Sequence, residues 1–355
     1  MSLPIINSYT NWAPLEEVWL GDVYPASWYD HLSSEVRDCF HEITEKTQQD
    51  LAVIHHKLEE LGVHVVRPEY HNIEDFMDPR GYLRKPDITP RDNFLVYQNT
   101  LLGNVMSWKN PWKSALDRYR RDSRCHIAQP PEFEHLGWMC GANTVRVGND
   151  LYLDIMPCHS KSTNEQKHQE FVDKVAPLWP NSRIHLLANG GHVDGCFAVA
   201  KPGVLITSRY FDAYDRTFPG WYCLNIAKPE FFDRRHAAFR AGPGHNGKWF
   251  VQGMADRLAF QEHVIKHALD WIGDYTETFF EVNCLVVDEK NILMLGENEK
   301  VARELERQGI TVHWMPFRTR TFWDGGLHCL TLDIRRRDSA VDLFPERGSQ
   351  QVFTY

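Results

Sequence analysis

Four side chains in this sequence, Cys329, His192, Asp92 and Asp194, are of types that together suit one task. A thiolate can attack an electrophilic carbon while an imidazole passes a proton to the leaving group. Two carboxylates can hold a planar cation by paired hydrogen bonds, as carboxylates hold guanidinium. These residues fall in three short segments: Pro90-Arg91-Asp92, Gly190-Gly191-His192-Val193-Asp194, and Asp324-Gly325-Gly326-Leu327-His328-Cys329. The first two precede an expected strand and the third opens one. The two Gly-Gly pairs permit close backbone approach to a ligand. Spacing alone does not join the segments, and a cysteine taken singly is ordinarily a small buried hydrophobe.

The elements that must position them recur along the chain. Thr144–Val147 and Leu151–Ile155 read as a hairpin around Gly148-Asn149-Asp150, whose residues tolerate left-handed φ. Similar pairs are Cys196–Ala200 with Val204–Thr207, Val282–Val287 with Ile292–Leu295, and Asn93–Tyr97 with Thr100–Leu102. After each pair a helical stretch and a short β-rich run are expected. Ser162-x-x-Glu165 and Thr163-x-x-Gln166 are capping boxes, and Ile184–Leu187 follows as a strand. Val301 and Leu305 mark a helix face, Gly309 its cap, and Ile310–Trp314 the next strand. Near the start, Val18–Leu20 reads as a strand, Ser33–Leu61 as a long helix capped by Gly62, and Val63–Val66 as a strand. The turns at Asn99, Asn149, Pro202 and Lys290 are 50, 53 and 88 residues apart, the last gap carrying an insertion at about Arg209–Lys248. A repeat of this kind predicts a closed array, since one unit cannot bury both faces alone. The unpaired first strand and the last strand, Leu327–Ile334, would complete a fifth ββαβ unit and close the ring. The expectation is one domain over residues 1–340 and a C-terminal tail over 341–355.

Composition narrows the function. The 355 residues are 43% hydrophobic and 12% aromatic, enough for a large core, and the 12 tryptophans are expected in it. No apolar run reaches the ~18 residues of a membrane helix, and Met1–Leu15 lacks the marks of a signal or transit peptide. The expected setting is therefore cytoplasmic, with the eight cysteines reduced. No C-x-x-C pair suggests a zinc ribbon or redox site, and His263 and His267 lack the glutamate of a zinc helix. The net charge of −9 argues against nucleic acid as partner and leaves room for a small cationic substrate.

Longer motifs give these residues a context. The run Asn11-Trp12-Ala13-Pro14-Leu15-Glu16-Glu17-Val18, the Pro90-Arg91-Asp92 and His192-Val193-Asp194 segments, the Val287-Asp288-Glu289-Lys290 hairpin, and Gly325-Gly326-Leu327-His328-Cys329-Leu330-Thr331-Leu332-Asp333-Ile334-Arg335-Arg336 occur in this order. Together they resemble the amidinotransferase branch of the guanidino-group-modifying (pentein) superfamily. The resemblance implies an α/β fold, a five-fold pseudosymmetric propeller of ββαβ units. It implies Cys329 as nucleophile, His192 as general acid–base, and Asp92 and Asp194 as the guanidinium-gripping carboxylates, with Arg91 beside them. The implied partners are a small guanidine donor and an amine acceptor, with neither metal nor organic cofactor. Self-association as a homodimer is left open.

The chain departs from that pattern in one place. The family's D-A-A-D hairpin reads Cys140-Gly141-Ala142-Asn143 here. A thiol cannot supply the fixed charge that favours imidazolium in a His–Asp pair. Cys140 and Asn143 therefore enter the site as substrate-facing candidates, with Glu132 or Glu134 as replacement acids. Arg209 or Arg216 would meet a donor carboxylate. The alternatives kept are a hydrolase with water as acceptor and a non-catalytic guanidino-ligand binder.

Overall fold

The computed structural model describes residues 4–103, 111–128, 140–154, 166, 169, 173–187, 192–208, 214–231, 254, 256–272, 281–296, 298–323, 325–348 and 352–354. Strand β1 (Leu15–Leu20) is followed by helix α1 (Ser34–Glu60) and strand β2 (His64–Val66). The buried positions of α1, from Val36 through Phe40, Ile43, Thr47, Leu51, Ile54 and Leu58, recur at three- and four-residue intervals. Gly62 ends the helix at φ +80°, its N–H donating to the Glu59 carbonyl, and turns the chain into β2.

A short helix α2 (Pro90–Asn93) opens the next unit, β3 (Phe94–Tyr97), β4 (Thr100–Gly103) and β5 (His126–Ala128). Three more units follow. They are β6 (Thr144–Val147), β7 (Asp150–Asp154) and β8 (Arg183–Leu187); β9 (Phe197–Lys201), β10 (Val204–Thr207) and β11 (Tyr222–Asn225); and β12 (Leu285–Asp288), β13 (Asn291–Leu295) and β14 (Thr311–Met315). In each, the first two strands pair antiparallel and the third joins the second in parallel. The fifth unit is split across the chain. Strand β15 (Thr331–Arg336) pairs antiparallel with β1, and β1 pairs parallel with β2. The five sheets thus form the α/β array expected from the turn spacing, closed by its two ends.

Several boundaries differ from the sequence reading. Residues 327–330 are wound into a turn rather than strand, with the Leu330 N–H donating to the Gly326 carbonyl and the Thr331 N–H to His328. Asn93 belongs to α2, not β3. The hairpins at 150, 197 and 285 are shifted by one to three residues, because hydrogen-bond register and not apolar content sets a strand's ends. The segment expected as a tail packs against the second unit. Strand β16 (Val352–Thr354) extends its sheet beside β8, and Asp342 and Arg347 join the ion pairs of Arg183 and Asp150. The capping boxes at 162–166 lie almost wholly outside the described residues.

Four tryptophans, Trp19, Trp112, Trp179 and Trp323, are fully buried. The buried Asp333 receives three buried guanidinium groups, from Arg91 (2.5 Å), Arg146 and Arg336 (2.8 Å). Burial would push this carboxyl up, but the three cations hold it well below the usual range. The network ties α2, β6 and β15 together. The flanking Arg335 and Arg337 reach Glu16 at 3.0 and 2.9 Å. Among the described residues no helix is long and apolar enough to cross a membrane.

Candidate active site

Three turns deliver the candidate side chains. Helix α2 begins with Pro90, whose fixed φ and missing N–H suit a first helical position. Its Asp92 N–H donates to the Thr89 carbonyl at 3.0 Å. The turn Val193–Gly195 carries Asp194, with His192 at its entry. Ser208 Oγ donates to the Gly195 carbonyl at 2.7 Å, pinning that turn to the end of β10. The third turn, 327–330, carries Cys329. Arg91 fastens it, with Nε donating to the His328 carbonyl at 2.7 Å and to the Thr331 carbonyl at 2.8 Å.

These turns meet around a small cavity lined by Asp92, His192, Asp194, Gly195, Asn283, Gly325, Gly326 and Cys329. Cys329, His192, Asp92 and Asp194 are therefore neighbours in space. Asn283 and His328 join them, and neither was singled out from sequence. Asn283 Nδ2 donates to Cys329 Sγ at 3.0 Å, and its Oδ1 accepts from the Cys329 N–H at 3.0 Å. His328 Nδ1 lies 2.8 Å from Asp194 Oδ2, and Cys329 Sγ donates to the same oxygen at 3.3 Å. The other oxygen of Asp194 is buried with no hydrogen-bond partner among the described residues. It is a buried acceptor on a residue that lines the cavity.

Electrostatics fit these contacts. Burial, with the nearby Arg91 charge, pushes His328 down to about 4, so its imidazole is neutral. Facing a carboxylate, the neutral ring carries its proton on Nδ1. Burial would raise Asp194, but the His328 hydrogen bond and the positive field of the groups around it, Arg91 among them, hold it below its ordinary value. Asn283's neighbour Cys284 is pushed up to about 12 by burial, so it remains a thiol.

The two glycines before Leu327 serve the turn itself. A Cβ on Gly326 would stand 2.5 Å from the Asn283 carbonyl oxygen, and one on Gly325 (φ +127°) 2.7 Å from Cys329 Cβ. Their close approach is to Cys329 and Asn283. Gly141 is similarly needed, since its Cβ would meet Arg91 Cγ and the Phe94 carbonyl oxygen, each at 2.7 Å.

The remaining candidates separate. Arg91 is 1% exposed and its guanidinium goes to Asp333 and backbone carbonyls, so it does not line the cavity. Cys140 and Asn143 are buried on a turn packed against both α2 and Val193–Gly195, yet neither lines it. Burial, reinforced by the charges of Asp92 and Asp194, pushes the Cys140 thiol well up, so no charge stands there. Arg216 is exposed on the helix Tyr214–Thr217 and does not line the cavity. Arg209, Glu132, Glu134, Gly190, Gly191 and Asp324 lie outside the described residues.

Comparison with known proteins places this geometry. No protein-family model matches the chain. It is 22% identical to the mitochondrial glycine amidinotransferase of Xenopus tropicalis, over 95% of this chain and 84% of that one. It is 22% identical to a putative inosamine-phosphate amidinotransferase 2 of Streptomyces griseus, over 94% and 97%. Along almost its whole length the chain is thus similar to amidinotransferases. Solved structures show the same fold. SxtG, an amidinotransferase of Microseira wollei, matches 96% of this chain and 100% of its own at TM-score 0.64 and 19% identity. StrB1, the inosamine-phosphate amidinotransferase of Streptomyces griseus, matches 95% and 99% at TM-score 0.64 and 18% identity. A more distant pentein, DDAH from Pseudomonas aeruginosa, matches 90% and 99% at TM-score 0.52 and 12% identity.

Proposed function

We propose that this enzyme moves the amidino group of arginine or a related guanidine to an amine through a covalent adduct on Cys329. The observation that supports it is the meeting of Cys329, His192, Asp92 and Asp194 around one cavity. The guanidinium sits against the two carboxylates, the Asp194 oxygen without a partner accepting one of its N–H groups. Its positive charge favours the thiolate of Cys329, which already accepts an N–H from Asn283. The thiolate forms an S–C bond to the guanidino carbon. The C–N bond to the substrate's side chain breaks as His192 gives that nitrogen a proton. The acceptor amine then forms a C–N bond to the same carbon, the C–S bond breaks to return the thiolate, and His192 takes the amine's proton. The steps balance without a metal or organic cofactor. They need Cys329 reduced, which fits a cytoplasmic location.

A second reading, hydrolysis with water as acceptor, is favoured by the uncharged Cys140 where the family pattern has an aspartate. One experiment separates the two. The protein is incubated with arginine, with and without a panel of amines, and ornithine, ammonia, citrulline and new guanidines are measured. Amine-dependent ornithine release with a new guanidine is expected, together with an amidino mass increment on Cys329. Ammonia and citrulline formed without any amine would overturn transfer in favour of hydrolysis. Full turnover by Cys329→Ala would overturn every covalent route.

A further inference from the structure

Asp92 lines two cavities. The first is the nucleophile cavity, of only about 20 Å³. The second is a cleft of about 440 Å³, within the size range of small-molecule sites, and its wall carries Arg80, Arg84 and Lys85. Thr89 also lines this cleft, and its Cγ2 would lie 3.5 Å from a Cβ on Gly325, so the cleft wall touches the nucleophile's own turn.

The segment bearing these cations is held firmly. Asp78 Oδ1 accepts from the backbone N–H groups of Arg80 and Tyr82 at 2.8 and 3.0 Å, and the Arg84 N–H donates to the Phe76 carbonyl at 2.9 Å. Tyr82 stacks on His267 at 3.7 Å between ring centroids. Arg80 is neutralised by Asp78 at 2.6 Å. Arg84 and Lys85 have no ion-pair partner among the described residues, and the remaining acids of the cleft are Asp92, which it shares with the nucleophile cavity, and the exposed Asp270. Burial lowers His267, which adds no positive charge at neutral pH.

We infer that this cleft seats the non-reacting part of the acceptor amine, and that Arg84 and Lys85 bind an anionic group on it, a carboxylate or a phosphate ester. The inference rests on the transfer reading above. The incoming nitrogen must reach the amidino carbon beside Asp92, and the nucleophile cavity has no room for the rest of an acceptor. The cleft that shares Asp92 does. An arginine fork and a lysine point charge on a fixed backbone form a site for an oxyanion.

The test uses the whole enzyme with arginine as donor and three acceptors of similar size: β-alanine, phosphoethanolamine and ethanolamine. kcat/KM is measured for each with the wild type, Arg84→Gln, Lys85→Gln and the double variant. An anionic acceptor is expected to exceed ethanolamine by about tenfold to a hundredfold, the worth of hydrogen bonds to a charged group. That ratio is expected to fall toward one in the double variant. Whether β-alanine or phosphoethanolamine leads identifies the anion. Equal use of ethanolamine, or a ratio the double variant retains, overturns the inference while leaving transfer intact. An amidino mass increment on Cys329 from arginine alone, read in parallel, keeps the two apart. If that adduct is absent and no amine is modified, transfer and this inference fall together.

Discussion

Asn283 grips Cys329 at both ends, its Nδ2 donating to Sγ and its Oδ1 accepting from the backbone N–H, each at 3.0 Å. An N–H aimed at sulfur stabilises thiolate over thiol, and the second bond fixes the turn that aims it. In Asn283→Ala the thiol pKa rises and turnover falls about tenfold to a hundredfold, since hydrogen bonds to charged groups contribute about 1.5–3 kcal/mol. The pH dependence of iodoacetamide alkylation at Cys329 checks this. An unchanged alkylation profile would leave Asn283 a purely structural partner.

His328 gives a pH dependence with a definite sign. Its folded value is pushed down from 6.5 to about 4, so between those pH values the unfolded chain holds a proton that the folded chain does not. Its contribution to stability is full above about pH 6.5 and is lost as pH falls toward 4. Asp194, also lowered, loses stability in the same direction at more acid pH. Asp87 opposes this: burial raises it from 3.8 to about 6, so its contribution declines as pH rises through that window. The clean observable is therefore the difference between wild type and His328→Asn, whose amide can still donate to Asp194 but does not titrate. The Tm advantage of the wild type is expected to shrink from pH 7 to pH 4. A constant difference would show that His328 titrates normally.

Asp333 holds three buried arginines, so its loss is expected to cost more than a surface pair would. In Asp333→Asn three guanidinium groups lose their shared negative partner, and breaking a buried ion pair costs about 3–5 kcal/mol. Denaturant unfolding should show a clear drop in midpoint. Because Arg91 also fastens the His328 and Thr331 carbonyls, activity should fall even in conditions where the variant is folded. A midpoint close to the wild type's would mean that the network is replaceable.

Local chemistry made much of the fold legible. The Gly62 and Gly309 caps, the apolar stripe of α1 and the turn at Gly148 each act over a few residues, and the structure has φ of +80°, +77° and +68° at those glycines. Turn spacing carried the repeat, because each unit must bury its sheet against neighbours of the same kind. The strand ends were less legible. Residues 327–330 are apolar enough for a strand but wind into a turn, because Arg91 and Asn283 take up their backbone groups.

By itself the sequence determined which segments bear the candidate side chains, and the repeated unit that carries each of them to a turn. The tertiary structure alone decided which side chains face one another. Asn283 and His328 gave no signal of spacing, since a hydrogen bond between residues 46 or 134 positions apart depends on how separate turns pack. The same packing turned Arg91 inward to Asp333 and buried Cys140 without charge. It also opened the cleft of Arg84 and Lys85 beside Asp92. A side chain's type fixes what it can bond, but only the closed ring fixes what lies within reach.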